Sequence, residues 1–185
     1  MGKAIFASVL IVFLAGCAAS TGVPPGGSAP PGGKPAGTVL PVITAAFASK
    51  TLTPGDTWKV YLKATDPDGD MRYIYASVFQ TGRGDYSPNR TRIAPENARE
   101  LNGFIYLNTV VPGGYEFLNF VTVTLTVSVQ DRAGHYSESV VFPLSFSGIY
   151  TQEPPPPGEF REQALGPIMV TLRPFDADGQ GNGFF

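Results

Sequence analysis

The sequence predicts an all-β protein whose folded part is a single antiparallel β-sandwich over residues 40–148. Apolar and polar residues alternate with a period of two in several short segments, which is typical of strands with one buried face. Turn-forming Gly, Pro, Asn and Asp residues separate these segments. No window has the period of an amphipathic helix, although residues 94–101 can form one short turn.

Five segments carry the alternation and are predicted to be strands: 57–65, 72–80, 101–109, 121–130 and 139–146. The clearest is the fourth, where Val and Leu at odd positions alternate with Thr, Ser and Gln at even positions. In the first, Trp58 and its second neighbours are predicted to face the core. Pro143 predicts that the last segment is an edge strand, because proline has no amide hydrogen to donate to a ladder.

The N-terminus has the three parts of an export signal. Lys3 precedes an uncharged apolar run that ends at Gly16. This run is shorter than the roughly 20 residues of a membrane-spanning helix, and it has the length of a signal-peptide core. The motif Leu-Ala-Gly-Cys, which ends at Cys17, resembles the lipobox of bacterial lipoproteins. The resemblance implies that residues 1–16 are removed and that Cys17 is lipidated.

Cysteine usage agrees with an exported and anchored protein. Cys17 is the only cysteine, so an internal disulfide is excluded. Acyl chains such as palmitate contribute about 0.8 kcal/mol per buried methylene, so two or more chains anchor a protein stably. Ala18 stands where an aspartate retains lipoproteins in the inner membrane. The resemblance therefore implies a cell-envelope location, and the outer membrane if the source is Gram-negative.

Two stretches of unusual composition flank the predicted sandwich. Residues 17–39 are rich in Pro and Gly, and they are predicted to be a tether between lipid and domain. Residues 149–185 begin with a run of four prolines, which favours an extended spacer, and end in a glycine-rich tail. Between these parts, 166–173 is predicted to add one strand to an open edge of the sandwich.

Acidic turns form the candidate metal site. Asp66, Asp68 and Asp70 alternate between two predicted strands, and Asp131 begins a turn expected at the same end of the sandwich. Carboxylates that converge in this way can bind Ca²⁺, which takes six to eight oxygen ligands. The alternative is turn formation alone, because Asp and Gly are favoured in turns whatever the function.

The residues around both turns resemble those of bacterial Ig-like and cadherin-like surface domains. The matching segments are 64–70, with the sequence Ala-Thr-Asp-Pro-Asp-Gly-Asp, and the predicted last hairpin at 129–137. The resemblance implies an Ig-like sandwich. Some members of these families bind calcium at domain junctions, whereas others use the aspartates only to build turns. This sequence departs from the tandem arrays of those families, because only one such domain is predicted.

Four aromatic residues form the candidate interaction site: Tyr61, Tyr73, Tyr75 and Phe79. They fall opposite the apolar stripes of two consecutive predicted strands. If the strands pair, directly or through a neighbour, these side chains form an exposed aromatic strip, which is typical of interfaces. Two alternatives remain open: Tyr73 and Tyr75 belong to the core, or segment 166–173 covers the strip.

Charge and histidine content argue against several functions. Removal of the signal takes away one of 13 basic residues and none of 15 acidic ones, so the mature chain is mildly acidic. Arg90 and Arg92 alone do not make the basic patch that nucleic acid needs. His135 is the only histidine, and its nearness to Asp131 and Ser137 on one turn is poor evidence for a catalytic triad.

These observations favour a non-catalytic binding or structural module that needs no cofactor beyond a possible Ca²⁺. The expected partners are the membrane, through the acyl chains, and a protein of the envelope or of the exterior. One alternative is an accessory subunit of a secretion or pilus-type complex. The other is an envelope hydrolase, which would need two carboxylates placed at a cleft.

Overall fold

The structure is a computed structural model that describes four parts of the chain: residues 37–111, 118, 121–148 and 151–173. These residues form two β-sheets packed on a shared apolar core, so the predicted all-β sandwich is confirmed. The signal of residues 1–16, Cys17, the tether before Gly37 and the tail after Arg173 lie outside the described residues. No helix in the described parts is long and apolar enough to cross a membrane.

The strands follow in chain order: β1 Val42–Ala48, β2 Thr51–Leu52, β3 Thr57–Thr65, β4 Met71–Gln80, β5 Gly84–Asp85, β6 Asn89–Arg92, β7 Glu100–Asn108, β8 Thr122–Asp131, β9 Val140–Phe146 and β10 Ala164–Ile168. A 3₁₀ turn, Pro95–Asn97, precedes β7. All five strands predicted from alternation are present as β3, β4, β7, β8 and β9, and their ends differ from prediction by one residue at most.

The smaller sheet has the order β1-β3-β7-β10, and the larger has the order β2-β9-β8-β4-β5, with β6 also paired to β4. The orders β1-β3-β7 and β9-β8-β4 correspond to strands ABE and GFC of an Ig-type sandwich. The place of strand D, beside β7, is taken here by β10 from the C-terminal segment. The sandwich is not wholly antiparallel, because β2 with β9 and β10 with β7 are parallel pairs.

The core lies between the sheets and uses the inward positions that the alternation predicts. Val123, Leu125, Val127 and Val129 of β8 are fully buried, and each such side chain contributes about 1.5–3 kcal/mol on burial. Trp58 of β3 is also fully buried, and its indole nitrogen donates a 2.8 Å hydrogen bond to the carbonyl of Ser49. That bond satisfies the polar atom that a buried tryptophan brings into the core.

Residues 151–163, which we call the strap, cross the outer face of the smaller sheet. At one end, Gln152 bonds the backbone of Thr57 and Lys59, in the part of β3 that extends beyond β1. At the other end, the amide of Phe104 in β7 donates a 2.8 Å hydrogen bond to the carbonyl of Gln163. The strap therefore satisfies strand amides that would otherwise face solvent or remain unpaired.

The C-terminal segment is thus packed on the sandwich and is not a free spacer over its described length. The added strand predicted at 166–173 begins and ends earlier, at Ala164–Ile168, and pairs with the edge of β7. Gln80, which is fully buried, then holds the last described residue: its amide nitrogen donates to the carbonyl of Arg173 at 2.5 Å, and its oxygen accepts from the Arg173 amide at 3.1 Å.

Candidate functional site

The aromatic strip expected from the sequence is not formed. Tyr61 lies on β3 of the smaller sheet, whereas Tyr73, Tyr75 and Phe79 lie on β4 of the larger sheet. Because the sheets pack face to face, the sides of β3 and β4 that point away from the core face opposite directions. The strip depended on β3 and β4 pairing directly or through a neighbour; they lie in different sheets, so the candidate residues are divided between two surfaces.

The strap buries Tyr61, so its expected exposure is also wrong. Only 4% of Tyr61 is accessible to solvent. Its ring lies 5.5 Å from that of Phe104 and 5.6 Å from that of Phe160 in the strap. Its hydroxyl donates a 2.6 Å hydrogen bond to Oε1 of Glu162. The covering segment is residues 151–163 and not 166–173, so Tyr61 is available to no partner while the strap is in place.

Charges hold the strap at the same point. Nζ of Lys59 lies 2.8 Å from Oε2 of Glu162. Burial raises the pKa of the Tyr61 hydroxyl well above its usual range, and the hydrogen bond to Glu162 raises it further. In return, the hydrogen bonds from Lys59 and Tyr61 lower the pKa of Glu162. At neutral pH the pair is a protonated phenol bonded to an ionised carboxylate, which is a charge-assisted hydrogen bond.

On the opposite side of the protein, the outer face of the larger sheet carries tyrosines and arginines. We call it the tyrosine–arginine face and define it by eight residues: Arg72, Tyr73, Tyr75, Phe79, Arg90, Arg92, Tyr136 and Val141. Strand register builds it, because directly paired residues share one side of a sheet. Tyr73 pairs with Arg92 on one side and with Gln130 on the other, and Gln130 is bridged to Tyr136.

The rings and guanidinium groups of this face contact one another. The ring centre of Tyr75 lies 6.4 Å from that of Tyr73 and 5.2 Å from that of Tyr136, both edge to face. The guanidinium carbons of Arg90 and Arg72 lie 4.7 Å and 5.1 Å from the centre of the Tyr73 ring. These are cation–π and edge-to-face geometries, which restrict side chains that would otherwise move freely.

The arginines of the tyrosine–arginine face favour negatively charged groups close to them. A hydrogen bond with Tyr136 and another with Arg90 lower the pKa of Tyr75, and the same Tyr75 contact raises the pKa of Arg90. Among the described residues, no carboxylate forms an ion pair with Arg72, Arg90 or Arg92. Within the described part of the chain, Arg72 and Arg90 are therefore positioned by the Tyr73 ring and not by an acidic partner.

Exposed apolar side chains lie elsewhere on the face: Phe79 stands at the other end of β4, where it pairs with Asp85, and Val141 stands on β9, level with Ser77. Phe79 is 43% exposed and Val141 is 57% exposed. Tyr73 and Phe79 are six residues apart on one strand, so the face extends over about 20 Å in that direction. β8 runs alongside β4 and presents a row of Thr, Ser and Gln side chains, from Gln130 beside Tyr73 to Thr124 beside Phe79. The face thus has its arginines around Tyr73, an exposed aromatic ring about 20 Å away at Phe79, and a polar row along its length.

The acidic turn between β3 and β4 is bonded mainly to backbone amides. Asp66 is fully buried, and its two carboxylate oxygens accept hydrogen bonds from the amides of Asp68 and Asp70 at 2.9 Å and 3.3 Å. Oδ2 of Asp68 accepts from the amides of Thr38 and Val39, each at 2.8 Å. The turn therefore binds the segment that enters the sandwich from the tether.

Asp66 and Asp70 form a buried pair within this turn. Asp70 is 3% exposed; its Oδ2 accepts from the amide of Gly37 at 2.7 Å, while its Oδ1 is buried with no hydrogen-bond partner in the described chain. Burial raises the pKa of Asp66, and the side-chain hydrogen bond with Asp70 raises it further. Two such carboxylates favour uptake of a positive charge, either a proton or a cation.

Asp131 lies at the same end, as expected, because it pairs with Met71 across β4 and β8. Its carboxylate is engaged elsewhere: Oδ1 accepts from the amide of His135 and Oδ2 contacts Nδ1 of His135, both at 2.8 Å. Among the described residues, no group of three or more His, Cys, Asp or Glu side chains has the geometry to hold a metal ion. The four aspartates therefore do not converge on one point.

Two clefts of the described structure bear on the hydrolase alternative. One, of about 370 Å³, lies between the β5 region and residues 169–173, and Asp85 is the only carboxylate among the described residues that line it. The other, of about 210 Å³, lies between β6 and the start of β10, and Glu96 is its only carboxylate. Neither of these clefts presents the pair of carboxylates that glycoside hydrolysis uses.

Sequence reasoning missed Arg72 and Tyr136 as members of a site and set Arg90 and Arg92 aside. The available signal was the spacing of Arg90 and Arg92, which puts both on one side of a strand. No family model matches the chain, and no curated protein matches it. The tyrosine–arginine face and the acidic turn are therefore interpreted from their own contacts.

Proposed function

We propose that the chain is a lipid-anchored module of the cell envelope that binds another protein through its tyrosine–arginine face and catalyses no reaction. The observation that carries this proposal is the set of contacts on that face. Three tyrosines and two arginines contact one another there, and the arginines have no carboxylate partner among the described residues.

The difference between the two outer faces supports this choice of surface. The smaller sheet has its outer face covered by the strap, with Phe160 on the ring of Tyr61. Within the described residues, no segment crosses the outer face of the larger sheet in the same way. Since the strap covers one outer face, we propose that the partner binds the other.

The composition of the face also supports a protein interface. Tyr and Arg are enriched among the residues that dominate binding energy at interfaces. Ring contacts already order Arg90 and Tyr75, so less side-chain entropy is lost when a partner binds. Flat strand-borne surfaces of this kind suit another protein better than a small molecule, which prefers a concave site.

The anchor part of the proposal rests on the sequence. Lipidation at Cys17, cleavage after Gly16 and an outer-membrane location remain inferences from the signal and its motif. About 20 residues separate Cys17 from Gly37, where the acidic turn binds the chain. A flexible linker of that length has a root-mean-square span of about 25 Å, which lets the face reach partners close to the membrane.

Two other roles were weighed. An accessory subunit of a secretion or pilus-type complex would use the same face, so it is a setting for the proposed function and not a competitor. An envelope hydrolase is less supported, because each cleft described above offers a single carboxylate, Asp85 or Glu96.

We also propose that the Asp66–Asp70 pair can hold a Ca²⁺ ion in place of a proton. The specific support is Oδ1 of Asp70, which is buried and has no hydrogen-bond partner in the described chain. A hard cation accepts carboxylate and carbonyl oxygens of this kind. Asp131 is not part of the proposed site, because His135 occupies both of its oxygens.

The binding proposal is tested by affinity purification from detergent-solubilised envelopes with a tagged chain. The double variant Tyr75→Ala/Tyr136→Ala removes two rings from the face, and Tyr106→Ala on the other sheet is the matched control. We expect one defined protein to co-purify with wild type and with the control but not with the double variant. Equal recovery by all three chains would refute the assignment of this face.

A further inference from the structure

The tyrosine–arginine face has two chemically different ends, and this division narrows the class of partner. At one end, Arg72 and Arg90 both lie within about 5 Å of the Tyr73 ring, and Arg92 pairs across from Tyr73. At the other end of β4, Phe79 exposes apolar surface beside Asp85, and Val141 of β9 exposes apolar surface level with Ser77. A partner that satisfies both ends must be anionic in one part and apolar in the next.

Building on the proposed function, we infer that the partner is a protein whose contact surface carries carboxylates beside aliphatic side chains. Charge complementarity supports the first half. Among the described residues, the three guanidinium groups have no acidic partner, and they raise the local positive potential on a chain that is acidic as a whole. Carboxylates suit them because the planar guanidinium fork bonds a carboxylate through two parallel hydrogen bonds.

The apolar end distinguishes a protein from other anions. A uronic acid polymer would meet the arginines but would leave Phe79 and Val141 without apolar contacts. The ring of Tyr73 is already approached by two guanidinium groups, so it is poorly placed to stack on a sugar. Aliphatic side chains cover exposed apolar surface with a gain of about 25 cal/mol per Å².

The distance from Tyr73 to Phe79 sets the length of a peptide that can test this inference. An extended heptapeptide spans about 20 Å, and its alternate residues point to one side. The peptide Glu-Ser-Glu-Ser-Leu-Ser-Leu therefore presents two carboxylates followed by two aliphatic groups, which matches the distance from Tyr73 to Phe79 along β4. One control peptide replaces both Glu residues by Gln, and a second replaces both Leu residues by Ser.

Binding of the dye-labelled peptides is measured by fluorescence anisotropy with the whole chain in detergent micelles. We expect wild type to bind the acidic–apolar peptide about tenfold more tightly than either control. The Gln peptide loses charge-assisted hydrogen bonds, and the Ser peptide loses apolar contacts. Arg90→Gln should lose that factor against the acidic peptide and lose nothing against the Gln peptide. Lys63→Gln, on the other sheet, should leave all three affinities unchanged.

Three results would overturn the inference. They are equal binding of the acidic and Gln peptides, insensitivity to Arg90→Gln, and Arg90-dependent binding of polygalacturonate or of phosphatidylglycerol vesicles without binding of the peptide. None of these is a failure of the proposed function, because Tyr75→Ala/Tyr136→Ala would still abolish co-purification of the envelope partner. Loss of that dependence as well would show that the face itself is wrongly assigned.

Discussion

The hydroxyl of Tyr61 donates a 2.6 Å hydrogen bond to Glu162, a residue 101 positions further along the chain. This contact joins a central strand of the smaller sheet to the strap. The alternation in β3 predicts that Tyr61 is exposed, but under the strap only 4% of its surface is accessible. The strap is consequently part of the sandwich, and its removal would expose aromatic surface and strand edges together.

We expect Tyr61→Phe to lower the free energy of unfolding by about 1–2 kcal/mol, because it removes a donor to an ionised carboxylate. The matched control is Tyr106→Phe on the same outer face, for which no hydrogen bond of the hydroxyl is found within the described residues. Urea denaturation of both variants measures the difference. Equal stabilities would mean that the Tyr61–Glu162 bond contributes nothing.

A substitution at Gly103 tests how closely the strap approaches β7. A Cβ atom at this position would lie 2.4 Å from the carbonyl oxygen of Gln163, so Gly103→Ala must push the two segments apart. We expect a loss of about 1–3 kcal/mol in stability and faster proteolysis within 151–163. Gly148→Ala is the control, since its Cβ meets nothing within 4 Å. Unchanged proteolysis of the Gly103→Ala strap would contradict the close packing.

The Asp66–Asp70 pair predicts an unusual pH dependence. Because the pKa of Asp66 is raised above its ordinary value of 3.8, its contribution to stability is present below that value and is lost as pH rises through the raised pKa. In Asp70→Asn, the amide group can donate to Asp66 in place of the shared proton. We expect this variant to be about 1–2 kcal/mol more stable than wild type at pH 8 in chelator, with a smaller loss on raising the pH.

Calcium gives the complementary measurement on the same variant. If the pair holds Ca²⁺, millimolar calcium raises the melting temperature of wild type relative to chelator, as binding to the folded state requires. The rise should be absent in Asp70→Asn and retained in Asp85→Asn, an exposed aspartate elsewhere. A wild-type melting temperature that is the same in calcium and in chelator removes the cation proposal and leaves the shared proton.

Lipidation at Cys17 predicts that the protein partitions into detergent and not into water. Wild type expressed in a bacterium that processes lipoproteins should incorporate labelled palmitate and partition into the detergent phase. Cys17→Ser should lose the label and retain the signal or enter the aqueous phase. Label that persists in Cys17→Ser would contradict acylation at this residue.

The sandwich could be predicted from the sequence because its central strands alternate strongly. In β8, each Val or Leu that the period of two directs inward is fully buried. Short edge strands such as β5 and β6 were missed, since two to four polar residues carry no measurable period. Their position follows from pairing with β4, which is information about contacts between distant segments.

The site was less predictable for a related reason. Tyr73, Tyr75 and Phe79 do lie on the outer side of β4, as the alternation indicates. What covers or accompanies an outward residue depends on partners far away in sequence, such as Glu162 over Tyr61 or Tyr136 beside Tyr75. Composition predicted an extended spacer at the four prolines, but it did not indicate that hydrogen bonds and ring contacts hold the strap on the sheet.

The most direct test of the binding face is photocrosslinking in intact cells from a single position on each outer face. Thr126 lies at the centre of the larger sheet, between Ser77 and Val141, and Lys63 lies on the smaller sheet. With p-benzoylphenylalanine at each position in turn, we predict one adduct of defined mass from position 126 and none from position 63. An adduct from position 63 alone, or adducts of equal yield from both, would contradict the assignment.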